Sequence, residues 1–264
     1  AKWCINYALE NIDIVKNDHI SDYIRIKEKV NFSDEELKAM KNVADNMYFP
    51  YSEKHNVFLQ QDGFLDKELI TVANLDKSQR PINQKWSWDR ILRSPYIKQA
   101  DTLQGFYMFE NDFSTEELER HFDFYEPFTV HESSLSPCVH SIQAAKLGRM
   151  DQAYEFYLRT SRLDLDDYNH EVEEGLHITS MAGTWMSIVE GFGGMRILNN
   201  TLSFAPKIPK GWKTYSFKVN FRSQVITVNV TQNGTHFELE GTQEINILVN
   251  GENVKVSPNG LVTV

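Results

Sequence analysis

Residues 136–148, Ser-Pro-Cys-Val-His-Ser-Ile-Gln-Ala-Ala-Lys-Leu-Gly, form the stretch that decides the fold. Serine followed by proline is a common helix start, because the hydroxyl can cap free backbone N–H groups and proline fits the first turn. Glycine at position 148 is typical of the residue just past a helix end. The side chains between these signals are small or apolar over most of the helix surface, which predicts a buried helix of an inner layer.

The neighbouring segments carry further helix signals. Ser94-Pro95 repeats the serine–proline start and predicts a helix to about Glu110, and residues 114–117 form a capping box that opens a short helix. Patterned apolar residues predict helices at about 151–161 and 175–191. Successive helices with short connections run in alternate directions. The first, third and fifth of these five helices should therefore begin at the same end, as in a toroid of concentric helix layers.

The first 88 residues are less regular. Apolar spacing predicts one or two amphipathic helices within residues 1–30, and Ser33-Asp34-Glu35-Glu36 predicts a capped helix after them. Residues 49–88 show no clear period and predict an irregular region. Because the helical pattern starts at once and without a cap, we expect further chain before Ala1.

Short alternating segments replace the helical period after residues 191–194. Alternation of apolar and polar side chains predicts β-strands, and Asn-Gly pairs at 233–234 and 250–251 are typical of hairpin turns. The predicted strands are 216–221, 225–230, 236–239 and 245–249. The predicted fold class is mainly α with a β module: a helical domain over residues 1–194 and a small antiparallel β domain over residues 195–264.

The composition restricts the classes of function. The 264 residues hold 27 lysines and arginines against 37 aspartates and glutamates, a net charge of −10. We therefore expect neither nucleic-acid nor anionic-membrane binding, since both require a positive surface. No apolar run approaches the roughly 20 residues of a membrane span. Cys4 and Cys138 lack the spacing of a metal or redox motif and are expected to be reduced core thiols.

The end at which three helices are expected to begin should attract an anion. Helix N-termini present free N–H groups and partial positive charge. Lys98 and Gln99 would lie in the first turn of one helix, residues 131–136 lead into the second, and residues 177–179 open the third. Lysine, hydroxyl groups and histidine at helix starts are groups that bind phosphate or sulfate. Any one of these residues by itself is more simply explained as a helix cap, a surface charge or a polar group of the core.

Two acidic segments support weaker interpretations. The glutamates within 171–174 precede the last helix, where their charge complements its positive end. The aspartates within 164–167 resemble part of a calcium loop but lack the glycine and glutamate that an EF-hand requires. We assign no catalytic role to the glutamates and no calcium site to the aspartates.

Three long motifs resemble a known family. They are KWSWDRILRSPYIKQAD at 85–101, HESSLSP at 131–137 and GLHITSMAGTW at 175–185. In them the chain resembles the disaccharide phosphorylases of glycoside hydrolase family 65, and the resemblance extends over most of the chain, most weakly in the β module. It implies the C-terminal part of an (α/α)6 barrel followed by a small β-sandwich.

The resemblance also implies a reaction. In this family inorganic phosphate attacks the anomeric carbon of an α-glucosyl unit with inversion, and a carboxylic acid protonates the leaving oxygen, giving β-glucose 1-phosphate and a free sugar. The mechanism is that of an inverting glycosidase in which phosphate, instead of water, attacks the sugar. Maltose is the expected disaccharide, phosphate is a co-substrate, and no metal or organic cofactor is implied.

Site residues are implied by their positions in the motifs. Lys98 and Gln99 resemble the pair that binds the reacting glucosyl unit, and Glu132 is expected to contact the leaving sugar. The expected phosphate ligands are Ser133, Ser134, His177, Ile178 and Thr179.

One element of the family pattern does not occur in the sequence. The general acid is a glutamate within a Gly-Pro-(Asp/Asn)-Glu-Tyr motif, which is absent from the 264 residues, and we expect it N-terminal to Ala1. Loss of a general acid costs roughly 10²- to 10⁴-fold in rate, so no catalytic residue is assigned within the chain and the chain by itself is expected to be inactive. A trehalase-like hydrolytic relative and a non-catalytic carbohydrate-binding fragment remain the alternatives.

Cellular context is implied by the same resemblance. It implies a cytoplasmic enzyme that is a homodimer at full length, with the remainder of the same enzyme chain as a further partner. Asn-X-Thr sequons at positions 199, 229 and 233 would instead fit a secreted glycoprotein, but so short a motif is frequent by chance.

Overall fold

The computed structural model describes residues 1–168, 170–258 and 260–264. The chain divides into two units, residues 1–51 and 52–264. The first unit is helical, and the second combines helices with two four-stranded β-sheets. The domain boundary predicted at residue 194 stays a prediction.

Three helices form the first unit: α1 (Lys2–Asp18), α2 (Ile20–Val30) and α3 (Asp34–Asp45). Asn31, with a φ of 57°, ends α2. Ser33 caps α3, where its hydroxyl accepts the backbone N–H of Glu36 at 3.1 Å. The predicted helices within residues 1–30 and the capped helix after them are confirmed.

The second unit begins with an irregular region and continues into regular helices. Residues 59–81 hold only short 3-10 turns, as the lack of a period predicts. The remaining elements of this part are β1 (Tyr51–Ser52), β2 (Val57–Phe58), α4 (Ile82–Lys85), α5 (Trp88–Arg93), α6 (Thr102–Met108), α7 (Thr115–Tyr125), α8 (Ser136–Lys146), α9 (Met150–Ser161), α10 (Leu163–Asp166), α11 (Ile178–Met186) and a π-helical segment, Ser187–Phe192. Within the described residues, no helix has the length and apolar character needed to cross a membrane.

Helix α8 is the buried centre of the second unit. Every side chain from Ser136 to Ala145 is buried, and the helix packs against α6, α9, α11 and the π-helical segment. Gly148, with a φ of 78°, follows its end as predicted. The start differs in detail, because the Ser136 hydroxyl bonds His131 at 2.8 Å instead of capping the helix. The prediction of a buried helix is confirmed.

The helix predicted to begin at Ser94-Pro95 is wrong in its first half. Ser94 ends α5, and Ile97 is buried in an isolated parallel bridge with Thr129. Backbone bonds of 2.9 Å join Ile97 to Phe128 and Val130. This long-range pairing holds Ile97 in a bridge with bends on either side of it, so α6 begins only at Thr102. Lys98 and Gln99 therefore lie in a loop and not in a first helical turn.

Helix α11 also begins later than predicted and packs very closely on its neighbours. Residues 175–177 precede it, and Gly175 has a φ of 105° that a helix does not allow. A Cβ atom at Gly183 would lie 2.8 Å from Cβ of Cys138 on α8 and 3.1 Å from the methyl group of Thr160 on α9. Glycine at this position therefore lets α11 approach both helices.

Residues 195–258 and 260–264 contain eight strands in two sheets. The strands are β3 (Arg196–Leu198), β4 (Thr201–Phe204), β5 (Thr214–Phe221), β6 (Gln224–Thr231), β7 (Gly234–Glu240), β8 (Ile245–Val249), β9 (Glu252–Val256) and β10 (Leu261–Thr263). One sheet has the order β10-β7-β6-β5 and the other β3-β4-β8-β9. The four predicted strands are confirmed as β5 to β8. The wholly antiparallel arrangement is wrong, because β4 and β8 pair in parallel.

Both Asn-Gly pairs lie at hairpin turns, one in the predicted position and one shifted. Asn250 and Gly251 have φ values of 51° and 86° and form the two-residue turn between β8 and β9, as predicted. The turn between β6 and β7 is shifted by one residue, because Thr231 pairs with Gly234 and leaves Gln232 and Asn233 as the turn.

One hydrophobic core joins the helices of the second unit to both sheets. Phe192 of the π-helical segment, Phe204 of β4 and Phe237 of β7 are buried in it. The rings of Phe204 and Phe237, from different sheets, lie 5.4 Å apart. The β module therefore supports the helices that carry the candidate site.

Candidate functional site

The loop before α8 brings two of the predicted segments together. Thr129 pairs with Ile97, so the chain that leads to Lys98 runs beside the chain that leads to Glu132. Ser133 is buried, and its hydroxyl accepts the backbone N–H of Leu135 at 3.2 Å. Ser134 is only partly buried. The two serines thus differ, because Ser133 shapes the loop and Ser134 presents its hydroxyl outward.

Ser134 makes the contact that joins the second and third predicted segments. Its Oγ lies 2.6 Å from Oγ1 of Thr179, in the first turn of α11. One helical turn further along, Gly183 of α11 meets Cys138 of α8. On α11 the two contacts are four residues apart, the spacing at which side chains share one helix face. Thr179 and Gly183 therefore lie on the same face of α11.

His177 lies immediately before α11 and is held by a carboxylate. Asp164 Oδ1 is 2.6 Å from His177 Nδ1, and Asp164 Oδ2 accepts the backbone N–H of His177 at 2.9 Å. Glu171 Oε2 lies 3.8 Å from Nε2 on the other side of the ring. The N–H groups of the His177 backbone and ring hold the pKa of Asp164 below its usual value.

Glu132 is the most buried of the predicted substrate ligands. Its side chain is 3% exposed, and its two oxygens accept hydrogen bonds from Arg80 Nε at 2.9 Å and from the backbone N–H of Ile82 at 2.6 Å. Arg80 also donates to the carbonyl of Val130 at 2.6 Å. Both carboxylate oxygens are therefore already engaged within the chain.

A groove of about 320 Å³ opens beside Glu132. Arg159 donates to the His131 carbonyl at 2.9 Å, while its Nε is buried without a hydrogen-bond partner among the described residues. Burial, together with the nearby charge of Arg80, lowers the pKa of Arg159. The groove is lined by Lys77, Arg80, Pro81, Glu132, Arg159, Tyr168 and His170. It is positively charged and suits an anionic or hydroxyl-rich ligand.

A buried carboxylate, Glu126, holds the loop before α8 by hydrogen bonds. Glu126 accepts hydrogen bonds from His131 Nε2 at 3.2 Å and from His140 Nδ1 at 2.5 Å, and His140 is fully buried. Burial alone would raise the pKa of Glu126, but these hydrogen bonds outweigh it and lower that pKa to about 2. Burial lowers the pKa of His131 to about 4.

These three side chains are also the group that could hold a metal ion within the described residues. Their ligand atoms lie within 4.8 Å of one another. With both imidazoles neutral, each donates one N–H to Glu126, and His131 Nδ1 can accept from Ser136. Hydrogen bonding therefore accounts for the arrangement apart from Nε2 of His140, which has no partner in the part of the chain that the structure describes.

The predicted residues are thus brought together in part. Ser134 and Thr179 are in contact, with His177 close to Thr179 in the chain. The backbone N–H of Ile178 donates to the Leu176 carbonyl at 3.1 Å, whereas within the described ranges that of Thr179 has no backbone acceptor. Across the same ranges, the side chains of Lys98 and Gln99 make no hydrogen bond. Their roles as glucosyl ligands stay predictions.

Sequence reasoning missed Arg80, Arg159 and Asp164. Asp164 was noticed only as part of an acidic segment, because nothing local signals its bond to a histidine 13 positions later. Arg80 and Glu132 are 52 positions apart. Long-range charge pairs leave no periodic signal in a single sequence.

Comparison with known proteins identifies relatives for the whole chain. The model described as "Glycosyl hydrolase family 65 central catalytic domain" matches residues 1–186, and that described as "Glycosyl hydrolase family 65, C-terminal domain" matches residues 195–256. Maltose phosphorylase of Bacillus subtilis (strain 168) is 50% identical over 239 residues, which are 90% of this chain and 31% of that protein. Alpha,alpha-trehalose phosphorylase of Thermoanaerobacter brockii is 41% identical over 94% of this chain and 32% of its own length.

A solved structure shares the fold. The structure described as a putative kojibiose phosphorylase from human microbiome superposes with a TM-score of 0.90 at 35% identity, covering 100% of this chain and 36% of that one. The chain therefore spans about a third of the length of the relatives that it matches.

Proposed function

Because the chain belongs to glycosyl hydrolase family 65, we propose that it is part of an inverting disaccharide phosphorylase. In the proposed reaction an oxygen of inorganic phosphate forms a bond to the anomeric carbon of an α-glucosyl unit as the glycosidic C–O bond breaks. A carboxylic acid donates its proton to the departing oxygen. Maltose would give β-glucose 1-phosphate and glucose.

The contact between Ser134 and Thr179 carries the proposal. Two hydroxyl groups 2.6 Å apart lie beside the N-terminus of α11, where the partial positive charge of the helix favours an anion. His177 adds an imidazole at the same helix start. These groups offer phosphate hydrogen bonds without a fixed positive side chain. Such a site holds the anion while leaving one oxygen free to attack.

The sugar would occupy the neighbouring surfaces. Lys98 and Gln99 reach the loop before α8 through the pairing of Ile97 with Thr129, and we assign them to the reacting glucosyl unit. We assign the leaving sugar to the groove beside Glu132. Because Glu132 is 3% exposed and Arg80 is 30% exposed, the sugar would reach the guanidinium before the carboxylate.

The proposed whole enzyme is longer than this chain. Residues 1–194 would form part of an (α/α)6 barrel, and residues 195–264 a β-sandwich behind it. The remainder of the enzyme would supply the general acid, so the 264 residues alone should show no turnover. We also propose that the full-length enzyme is a cytoplasmic homodimer that uses no metal or organic cofactor.

The choice of maltose rests on the most similar of the named relatives. The maltose phosphorylase is 50% identical to this chain and the trehalose phosphorylase 41%. In both reactions the same glucosyl unit moves to phosphate and glucose leaves, and the reactions differ in the carbon of the leaving glucose that carries the bond. We therefore expect the full-length enzyme to cleave maltose faster than trehalose or kojibiose.

The test is phosphate-dependent cleavage by the full-length protein. Glucose 1-phosphate should form only when phosphate is present, and Ser134→Ala should raise the KM for phosphate roughly tenfold or more, since a hydrogen bond to a charged group contributes about 1.5–3 kcal/mol. Ser161→Ala is the control, because its hydroxyl bonds the Leu158 carbonyl of its own helix at 3.4 Å. Equal cleavage without phosphate would instead establish a hydrolase, and sugar binding without turnover a carbohydrate-binding protein.

A further inference from the structure

We propose that Asp164 is a positioning residue of the phosphate site: it fixes the ring of His177 and keeps a hydrogen on Nδ1, so that Nε2 faces the phosphate. The inference rests on the proposed function, because it assigns His177 to phosphate. Asp164 itself would not touch the ligand.

Asp164 binds both the backbone and the side chain of His177. One carboxylate oxygen meets the ring at 2.6 Å and the other accepts the backbone N–H of the same residue at 2.9 Å. The Asp164 and His177 side chains are 17% and 21% exposed, so water has little access to the contact. Two bonds from one rigid carboxylate leave the imidazole a single orientation.

The chemistry of the pair then decides which nitrogen is available. An ionised carboxylate can only accept hydrogen bonds, so Nδ1 must carry a hydrogen. The Asp164 carboxyl stays ionised at neutral pH, because the His177 backbone and ring N–H groups hold its pKa below the usual value. Glu171 lies 3.8 Å from Nε2, beyond hydrogen-bonding distance, and no other group within the described ranges bonds that nitrogen. Nε2 is therefore the nitrogen open to a ligand, and on the neutral ring it accepts the O–H of monohydrogen phosphate.

The three aspartates of this segment have separate partners. Asp166 pairs with Arg162 at 2.6 Å on the surface, and Asp167 accepts the backbone N–H groups of Glu171 and Val172 at 3.0 and 3.3 Å. Only Asp164 contacts His177. Asp166 is two residues away in the same short helix α10, which makes it a matched control.

The first measurement reads the ring directly. Histidine labelled with ¹⁵N in the 264-residue chain gives separate signals for Nδ1 and Nε2, and His177→Gln identifies the signal of interest. We expect a hydrogen on Nδ1 in the wild type. In Asp164→Asn the amide can donate to Nδ1, which should move the hydrogen of the neutral ring to Nε2, whereas Asp166→Asn should leave the signal unchanged.

The second measurement is kinetic and uses the full-length enzyme. Asp164→Asn should raise the KM for phosphate about tenfold, the lower end of the effect of removing a carboxylate that orients a ligating histidine. Asp166→Asn should leave it unchanged. In a His177→Gln background, Asp164→Asn should add no further loss, because the aspartate acts through the histidine.

Three outcomes would overturn the inference. They are a wild-type His177 without a hydrogen on Nδ1, a phosphate KM that stays within twofold in Asp164→Asn, and a full additional loss in the double variant. The first needs no variant of Asp164 and stands even if that variant fails to fold. Failure of the proposed function gives a different result, since the wild-type enzyme would then show no dependence on phosphate.

Discussion

Replacing Gly183 by alanine should destabilise the protein although alanine favours helices. The new Cβ would lie 2.8 Å from Cβ of Cys138, 3.1 Å from its Sγ and 3.1 Å from the Thr160 methyl group. These atoms belong to short side chains on two other helices, so they cannot rotate away from the contact. Such overpacking typically costs about 1–3 kcal/mol.

The helix propensity of alanine offsets part of this cost. Glycine in a helix interior is less favourable than alanine by about 0.5–1 kcal/mol. The midpoints of the two ranges leave a net loss of about 1 kcal/mol, which corresponds to a fall in Tm of roughly 2–4 °C for a chain of this size.

Gly105 provides the control, because it lies in α6 and a Cβ there would meet nothing within 4 Å. Gly105→Ala should raise Tm by about 2 °C. Thermal and urea unfolding of both variants measure the difference. In a Cys138→Gly background, which removes the nearest obstacle, most of the Gly183→Ala penalty should disappear. Equal Tm values for the two alanine variants would refute the packing argument.

Two further predictions concern buried charge. Acid should lower the free energy of unfolding in two steps. Below about pH 6.5 the unfolded chain binds a proton at His131, whereas the native ring, with its pKa of about 4, does not. Below about pH 4.5 the unfolded chain also binds a proton at Glu126, whereas the native carboxylate, with its pKa of about 2, stays ionised. Urea unfolding from pH 7 to pH 3 measures this loss, and an unchanged slope below pH 4.5 in Glu126→Gln would contradict it. Arg80→Ala should cost about 3–5 kcal/mol, because Glu132 would remain buried without its cation. Glu132→Gln in the same chain should recover part of that loss in urea unfolding, and an additive double variant would contradict the pairing.

Local signals predicted the elements that local forces determine. The capping box at Ser114 is present with both of its hydrogen bonds, and the glycine at 148 follows α8 as expected. The buried surface of α8 was visible in its small and apolar side chains. In each case the deciding atoms lie within a few residues of one another.

The errors arose where distant residues decide the structure. Ser94-Pro95 carries a valid helix signal, yet pairing of Ile97 with Thr129 keeps this segment out of a helix. The parallel pairing of β4 with β8 was equally invisible, since each strand looks the same whichever neighbour it has. The site shows the same division: Ser134, His177 and Thr179 stand out in their motifs, whereas Asp164 matters only through its partner.

The parallel pairing of β4 with β8 also constrains the order in which the chain can fold. Ser203 and Phe204 align with Leu248 and Val249, more than 40 residues later, and the hairpins β5 to β7 lie between them in sequence. Closing so long a loop lowers the conformational entropy of the chain before the contacts between β4 and β8 can form. The hairpins can form from local contacts, so β4 should remain an open edge until β8 has been synthesised. During translation, the sheet that supports the helices would therefore be completed only when the ribosome has nearly reached the end of this segment.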